Sequence, residues 1–290
     1  MTPVSADICT GRHNEECAAY AARMARPRPG EAANPAPPTV QRVRLRFAKR
    51  GRLRFLSHRD VARSFERAVR RGGVPVSHSH GFSPHPRLSW VGAAPTGSAS
   101  EAEYLEIGLT RVVDIAALAT ALDAALPAGL DILDAAVAEG ASLPDRIDAS
   151  RWVVELPGVE PEALRAALDA LLAQESVVVE RVTPSGRRQI DVRAALAHAS
   201  VLDAEPSRDA PSAFSRPSAA APAAVCATMA AVVRQTTPAV RPDDVLGALD
   251  VVAGLRLPAP AKATRTAQGL LDDRGDLADP LGSDRVTTRA

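Results

Sequence analysis

The sequence predicts an α+β protein made of two tandem ferredoxin-like domains, each with the element order β-α-β-β-α-β. Residues 43–47 alternate between apolar side chains and arginine, which is typical of a strand with one buried face. Apolar residues then recur at helical spacing, and a weaker copy of the same order follows residue 150. The predicted parts of the chain are a disordered tail (1–39), a first domain (40–140), a second domain (150–257) and a second disordered tail (258–290).

The first domain opens with a strand at 40–47 and a turn, after which a helix begins. Ser57 stands at the N-cap position with Asp60 three residues later, an arrangement similar to a capping box, and Gly72 and Gly73 end the helix. Opposite the apolar side of this helix lie Arg59, Arg63, Arg67 and Arg70. The remaining predicted elements are a strand at 88–94, a strand at 104–109, a helix at 115–126 and a strand at 132–138.

The second domain is predicted from weaker patterns of the same kind. Its first helix begins at Pro161, a residue suited to the first helical turn. Residues 200–222 are rich in Ala, Pro and Ser, which predicts a low-complexity insertion. The predicted elements are a strand from 151, a helix at 161–173, strands at 177–182 and 188–192, an apolar segment at 224–233, a helix at 243–249 and a strand at 251–257.

The charge of the chain is distributed unevenly along its length. The formal net charge is +1, from 35 basic and 34 acidic residues. Between residues 40 and 90, however, 13 basic residues and two acids give a local net charge of +11, which leaves −10 on the remainder. All of the basic residues are arginines except Lys49 and Lys262. Such a concentrated basic segment favours a polyanionic partner.

Several classes of protein are excluded by the sequence. Three cysteines form no disulfide framework, and the most apolar run, 219–233, is shorter than the about twenty residues of a membrane span. We therefore expect a cytoplasmic protein without membrane contact. No phosphate-binding loop, dinucleotide fingerprint, zinc-protease motif or serine-hydrolase motif is present. Cys9, His13 and Cys17 have the spacing of metal ligands but lack a fourth ligand, so no metal site is assigned.

The arginines of the first strand are the first candidate binding residues. If helices cover one face of the sheet, the strand turns Arg42, Arg44 and Arg46 toward the open face. A row of guanidinium groups there resembles the electrostatic footprint of an RNA-binding protein, because each planar fork bonds two phosphate oxygens at once. The same arginines can instead pair with acids from the rest of the chain. The predicted nucleic-acid-binding residues are Arg42, Arg44, Arg46, Arg52, Arg54, Arg59 and Arg63.

A loop rich in histidine and proline, residues 78–89, is the second candidate site. It holds three histidines, an arginine and two prolines, more than a plain turn requires. The prolines stiffen the loop, Gly81 permits a positive φ, and the polar side chains are expected to converge. The pattern indicates a clamp for phosphate or a cofactor, and a solvated surface loop is the alternative. The candidate residues of this motif loop are Ser79, Gly81, Phe82, Pro84, His85 and Arg87.

An enzymatic site is the alternative to a binding surface. Glu101 and Glu103 alternate onto one side of an extended chain, and paired carboxylates can act as acid and base. With His58 and His85 they would form the catalytic residues of a stand-alone enzyme. Carboxylates in this position can equally pair with arginines of the basic segment.

Several motifs of the chain are similar to those of a known family. They are Leu-Ser-His-Arg-Asp at 56–60, Ser-His-Gly-Phe-Ser-Pro-His-Pro-Arg-Leu-Ser at 79–89, Pro-Thr-Gly-Ser-Ala-Ser-Glu-Ala-Glu-Tyr at 95–104, Leu-Pro-Ala-Gly-Leu at 126–130 and Ile-Asp-Val-Arg at 190–193. In these motifs the chain resembles the radical-SAM-linked proteins, a bacterial family of unknown function. The resemblance extends over about residues 40–257, and its first hundred residues are the most specific part.

The resemblance implies a companion of a radical S-adenosylmethionine protein, fused to it or encoded beside it. In actinobacteria, whose Arg- and Ala-rich composition this chain shares, the neighbours are often a ribonuclease of the E/G type and ribosomal proteins, which favours tRNA or rRNA modification. S-adenosylmethionine and an iron–sulfur cluster would belong to the partner, because this chain lacks cluster-binding cysteines. The leading hypothesis is a non-catalytic accessory protein that binds no cofactor itself and binds RNA or a ribosomal substrate.

Overall fold

The protein has an α+β fold, given by a computed structural model that describes residues 37–80, 83–183, 186–202 and 225–288. Within these ranges the chain forms a nine-stranded mixed sheet, a separate two-stranded sheet and six α-helices. The predicted α+β class is confirmed. Most of the predicted N-terminal tail and of the low-complexity insertion lies outside the described residues, as do Gly81 and Phe82. In the described part, every helix is too short or too polar to cross a membrane.

The first half of the large sheet comes from the basic part of the chain. Its elements are β1 (Gln41–Lys49), a 3₁₀ segment (Gly51–Phe55), α1 (His58–Arg71), β2 (Leu88–Val91), β3 (Ala99–Leu109), α2 (Ile115–Ala125) and β4 (Ile132–Val137). The order β-α-β-β-α-β is the predicted one, and the strands run antiparallel as β4-β1-β3-β2. Ser57 caps α1, as predicted, by accepting a hydrogen bond from the backbone N–H of Asp60 at 3.3 Å.

A large apolar core fixes α1 against this half of the sheet. Val43, Leu45 and Phe47 of β1 alternate into the core. The Phe47 ring centroid lies 4.7 Å from that of Phe65 on α1 and 5.9 Å from that of Trp90 on β2. Each such aromatic pair contributes about 0.5–1.5 kcal/mol beyond the area that it buries. Because one side of α1 is anchored in this way, its opposite side faces outward.

The second half of the sheet carries its own layer of helices. Its elements are β5 (Ala149–Pro157), α3 (Pro161–Leu172), β6 (Val178–Thr183), β7 (Gly186–Asp191), α4 (Val192–Ala195), β8 (Leu196–Leu202), β9 (Cys226–Arg234), α5 (Pro242–Ala253), β10 (Lys262–Leu271), β11 (Leu277–Ala278) and α6 (Gly282–Thr288). The strand order is β10-β5-β9-β8, while β6 and β7 form the separate hairpin. Trp152, Val154 and Leu156 of β5 pack with α3 and α5 in a second apolar core.

Strand β10 joins the two halves into one sheet. It pairs antiparallel with β5, and it also pairs in parallel with β3 where Thr264 lies opposite Ala99 and Arg265 opposite Ser100. β2 occupies the remainder of the same edge of β3. The strands of the two tandem domains predicted from the sequence therefore share one continuous hydrogen-bonded sheet.

The predicted C-terminal tail and the strand predicted at 251–257 are both corrected by the structure. Residues 251–253 are the last turn of α5, and the strand that closes this half is β10, inside the predicted tail. The reason is that β10 buries polar side chains. Arg265 and Gln268 are buried and satisfied by hydrogen bonds, so β10 lacks the apolar alternation by which a strand is recognised.

The C-terminal segment covers the face of the first half that is opposite α1 and α2. Leu281, just before α6, packs with Tyr104, Ala136, Leu143 and Ile147 in a small third core. The sheet face that was predicted to be open is therefore covered. This cover determines the environment of the arginines on β1.

Tyr104 makes the stability of this third core dependent on pH. Burial, helped by the charge of Asp279 and opposed by Arg46, raises the pKa of Tyr104 to about 12. An unfolded tyrosine ionises near pH 10 while the folded one stays neutral, so the free energy of unfolding falls between about pH 10 and 12, by at most about 3 kcal/mol. We expect Tyr104→Phe to flatten this part of the curve in denaturant titrations. If the free energy of unfolding falls equally steeply with pH above about pH 10 in the wild type and in Tyr104→Phe, Tyr104 is not the group responsible.

Candidate nucleic-acid interface

The arginines of β1 do not form an open row. Arg44 is fully buried, and its guanidinium pairs with Glu106 at 3.0 Å and with Asp284 at 2.9 Å. Arg42 is half-exposed and pairs with Glu106 at 3.2 Å. Arg46 is partly buried, and its Nε has no hydrogen-bond partner among the described residues. The open row of guanidinium groups expected on this sheet face is therefore not seen, because Glu106, Asp284 and the C-terminal segment lie against it.

The two arginines of the 3₁₀ segment have different environments. Arg54 donates from Nε to the backbone carbonyl of Gly97 at 2.7 Å and lies over the Phe55 ring, 5.1 Å from its centroid. It therefore holds the turn before β3. Arg52 is exposed.

Helix α1 carries the exposed basic surface of this half. Five of its arginines are exposed, on the side opposite the buried Val61 and Phe65. At 3.6 residues per turn they span about 120° of the helix circumference, and at 1.5 Å per residue the row is about 18 Å long. We call this surface the α1 arginine face. Its members are Arg59, Arg63, Arg67, Arg70 and Arg71.

Few carboxylates neutralise the α1 arginine face. Asp60 lies 3.8 Å from Arg63, and within the described ranges no other member has a carboxylate oxygen within 4.0 Å. Arg67 donates to the Ser64 hydroxyl at 3.1 Å. The hydrogen bond from Ser57 lowers the pKa of Asp60, which keeps the capping carboxylate ionised. The face therefore retains most of its positive charge.

Sequence reasoning identified only part of this face as a binding surface. Arg59 and Arg63 belong to the predicted binding set, whereas Arg67 and Arg70 were placed on the same side of the helix but not assigned to binding, and Arg71 was missed. The signal that identifies them is their spacing of three or four residues, which places them on the same side of a helix. The strand arginines gave the stronger pattern, but their partners come from distant parts of the chain.

The motif loop closes on itself beside α1. The backbone N–H of Ser79 donates to the carbonyl of His85 at 2.9 Å, and the His85 N–H donates back to the Ser79 hydroxyl at 3.0 Å. A β-bridge between His78 and Pro86 and a bond from the Arg87 N–H to the Ser77 carbonyl at 2.8 Å close its base. Pro84, His85 and Arg87 are exposed. Gly81 and Phe82 lie outside the described residues.

A cleft separates the motif loop from the C-terminal end of α1. Its volume is about 430 Å³, and His78 and His85 line one side while Glu66 and Arg70 line the other. The structure therefore brings the motif loop to one end of the α1 arginine face. Arg70 belongs to both features, because it is a member of the face and also lines the cleft.

The carboxylates of the predicted catalytic set are held by arginines. Glu101 pairs with Arg50, and Glu103 is buried and pairs with Arg265. Glu103 also accepts a hydrogen bond from the backbone N–H of Ala94 at 3.2 Å. Pairing with arginine was the alternative left open by the sequence. Each of the two carboxylates is therefore paired with an arginine from another element.

The histidines of that set lie in different surroundings. His58, at the start of α1, packs edge-on against Trp90 with 5.4 Å between ring centroids, whereas His85 belongs to the motif loop. Within the described part of the chain, no group of three or more His, Cys, Asp or Glu side chains is placed to hold a metal ion. Cys9, His13 and Cys17 lie outside the described residues.

Comparison with known proteins gives a family and a distant structural likeness. A family profile described as "Uncharacterized protein conserved in bacteria (DUF2344)" matches residues 42–242. A crystal structure of an unknown protein from Galdieria sulphuraria is 16% identical over 79% of this chain and 98% of that chain, with a TM-score of 0.22. No curated protein matches the chain.

Proposed function

The chain belongs to DUF2344, a family of uncharacterized proteins conserved in bacteria, and we propose that it is a non-catalytic accessory protein that binds RNA. The observation that carries the proposal is the α1 arginine face. Five exposed guanidinium groups lie along one side of a single helix, and among the described residues Asp60 is the one acid within ion-pair distance of any of them, although Glu66 is on the same helix. The proposed contact surface is therefore α1 and not the sheet face.

The spacing of these arginines lowers the stability of α1 unless a polyanion binds to them. Like charges four residues apart, such as Arg59 and Arg63 or Arg63 and Arg67, destabilise a helix by about 0.2–0.5 kcal/mol per pair. Phosphate groups remove this repulsion, and each guanidinium fork can bond two of their oxygens. A row of about 18 Å is long enough to follow several phosphates along one strand. Together these points support binding to the backbone of RNA.

The cleft beside the motif loop extends this surface. His78, His85 and Arg70 line it, and its volume of about 430 Å³ falls within the range of pockets that enclose small molecules. We propose that a nucleotide adjoining the bound backbone enters this cleft. The phosphates would then supply affinity, and the motif loop would supply selectivity.

Removing three members of the face is expected to weaken RNA binding. The variant Arg63→Ala with Arg67→Ala and Arg70→Ala loses three phosphate contacts, each worth about 0.7 in the slope of log affinity against log salt. At about 0.1 M salt we expect a loss of affinity of about a hundredfold, measured by fluorescence anisotropy with a labelled single-stranded RNA. Alanine favours the helix, so α1 is expected to remain folded.

A matched variant distinguishes the effect of this surface on RNA binding from the effect of the total charge of the chain. Arg187→Ala with Arg188→Ala and Arg256→Ala removes three exposed arginines from the second half and should bind as the wild type does. If both triple variants lose affinity equally, binding is a general effect of charge and the proposed surface is incorrect. No binding of RNA by the wild type at low salt would overturn the function itself.

The proposed partner is a radical S-adenosylmethionine protein, and this part of the proposal rests on the motif resemblance at 56–60 and 79–89. The partner would bind S-adenosylmethionine and the iron–sulfur cluster, and this chain would present the RNA or ribosomal substrate. Affinity purification of the tagged full-length chain from its own cells tests this. We expect mass spectrometry to identify a protein with cluster-binding cysteines. Recovery of the chain without such a protein, under conditions that retain RNA, would reject the partner and leave the RNA proposal intact.

A further inference from the structure

A second pocket lies where the two halves of the sheet meet. Ser150 of β5 and Gln268 of β10 lie among the residues that line it, together with Gly92 after β2, and its volume is about 300 Å³. Gly92 has a φ of +56°, and a Cβ at this position would lie 2.6 Å from Oε1 of Gln268. Glycine is therefore required for the lining to keep this shape. We call this cavity the junction pocket; it includes no member of the α1 arginine face.

The lining of the junction pocket is positively charged. It includes Arg234 at the end of β9, Arg241 directly before α5 and Arg265 on β10, and it includes no Asp or Glu. Arg234 and Arg241 are exposed, and neither guanidinium forms an ion pair with a carboxylate of the described residues, while the backbone N–H of Arg241 donates to the Asp244 carboxylate at 2.6 Å. Arg265 is paired with Glu103 behind the lining, so Arg234 and Arg241 supply the unpaired positive charge of the cavity, which favours an anionic ligand.

Arg265 is held in a fixed position below the pocket. Its guanidinium pairs with Glu103 and donates to the Ser100 hydroxyl at 3.3 Å and to the backbone carbonyl of Gly92. These bonds use three of its five N–H groups. The carbon of the guanidinium also lies 5.6 Å from the centroid of the Trp152 ring. Arg265 is therefore preorganised and has hydrogen-bonding capacity to spare.

The buried charges beneath the pocket do not balance. Lys49 is buried, and its Nζ donates to the carbonyls of Ala94 at 3.1 Å and Pro95 at 3.2 Å, while Glu103 is the acid shared with Arg265. Burial lowers the pKa of Lys49, Glu103 opposes this, and Arg265 lowers the pKa further. Glu103 is thus a carboxylate that influences both buried basic residues, but it forms its ion pair with Arg265. An anion in the adjoining pocket would offset the remaining charge, which is otherwise costly to bury.

From this arrangement we propose that the junction pocket binds a phosphomonoester, with the phosphate between Arg234 and Arg241. A dianionic phosphate matches bidentate arginine forks, and Ser150 and Gln268 supply neutral hydrogen-bonding groups for the rest of the ligand. The volume is at the lower limit for ligand pockets, so the ligand is the size of a mononucleotide or smaller. This site goes beyond the RNA-binding surface and does not depend on it.

Calorimetric titration of the full chain with adenosine 5′-monophosphate, inorganic phosphate and adenosine tests the proposal. We expect saturable one-to-one binding of the two phosphate compounds and none of adenosine. Arg234→Ala with Arg241→Ala should weaken nucleotide binding by about tenfold to a hundredfold, since it removes charge-assisted hydrogen bonds. Arg256→Ala, an exposed arginine away from the lining, should bind as the wild type does.

Two results would overturn the site. One is the lack of saturable binding at millimolar phosphate and nucleotide, and the other is unchanged binding in the Arg234→Ala, Arg241→Ala variant. The triple α1 variant should retain nucleotide binding, so failure of the RNA proposal and failure of this one give different results. A 5′-phosphorylated RNA trinucleotide carries the same group as a free nucleotide. Comparing its affinity with that of adenosine 5′-monophosphate shows whether the pocket prefers the 5′ end of an RNA or a free nucleotide.

Discussion

A chain that ends after Leu257 is expected to give no folded protein. This truncation removes β10, which lies between β3 and β5 and joins the two halves of the sheet. It also removes Arg265 and so leaves Glu103 buried without its cation. The stabilising free energy that is lost with β10 and Arg265 exceeds the net stability of an ordinary domain, about 5–15 kcal/mol. We expect no cooperative transition on thermal denaturation followed by circular dichroism.

A chain that ends after Thr288 is the matched control, because it retains every described element of the second half. It should unfold with the same midpoint as the full chain. If the chain that ends at residue 257 unfolds cooperatively with a native near-ultraviolet spectrum, β10 is not essential to the sheet. The description of the two halves as one continuous sheet would then be wrong, and they would be two independent domains.

The substitution Asp284→Ala is expected to have the second largest effect, a loss of about 3–5 kcal/mol of unfolding free energy. The Asp284 carboxylate is fully buried and pairs with Arg44 at 2.9 Å and with Arg146 at 3.0 Å. It also accepts a hydrogen bond from the backbone N–H of Glu139 at 3.3 Å. Removing it leaves buried positive charge with Glu106 as the remaining carboxylate partner of Arg44.

Chemical denaturation of Asp284→Ala beside Asp276→Ala measures this cost. Asp276 is exposed and pairs with Arg151 at 3.2 Å, and such surface pairs contribute about 0–1 kcal/mol. We therefore expect a large loss of stability in the first variant and a small one in the second. Similar small losses in both would mean that α6 does not cover the β1 arginines, which would restore the sheet face as a candidate RNA surface.

Local patterns in the sequence were sufficient to place α1. Ser57 and Asp60 form its cap, and the apolar spacing from Val61 to Val69 sets its buried side, so the helix and its exposed arginines follow from about fifteen consecutive residues. The same holds for β1 as a strand. Such features are predictable because the interactions that determine them join near neighbours in the chain.

The environment of the β1 arginines is determined by residues far away in the sequence. Arg44 meets Glu106, 62 positions later, and Asp284, 240 positions later. Alternation in β1 identifies a polar face but contains no information about what covers that face. The same limit applies to the junction pocket, whose arginines come from β9, β10 and the segment before α5.

Strand β10 was missed for a related reason. Its buried Arg265 and Gln268 are stabilised by partners on β3 and on the segment after β2, so its sequence resembles that of an exposed strand or a tail. Pairing with two other strands determines its place. Such pairing is a property of the assembled sheet and leaves no periodic signal within the ten residues of β10.

The salt dependence of RNA binding tests the central proposal, the α1 arginine face, most directly. The logarithm of the association constant for a single-stranded RNA is measured against the logarithm of salt concentration for the full chain and for the Arg63→Ala, Arg67→Ala, Arg70→Ala variant. We expect two straight lines whose slopes differ by about 2, because each phosphate contact contributes about 0.7. Equal slopes, or no binding by the full chain at low salt, would contradict the proposal.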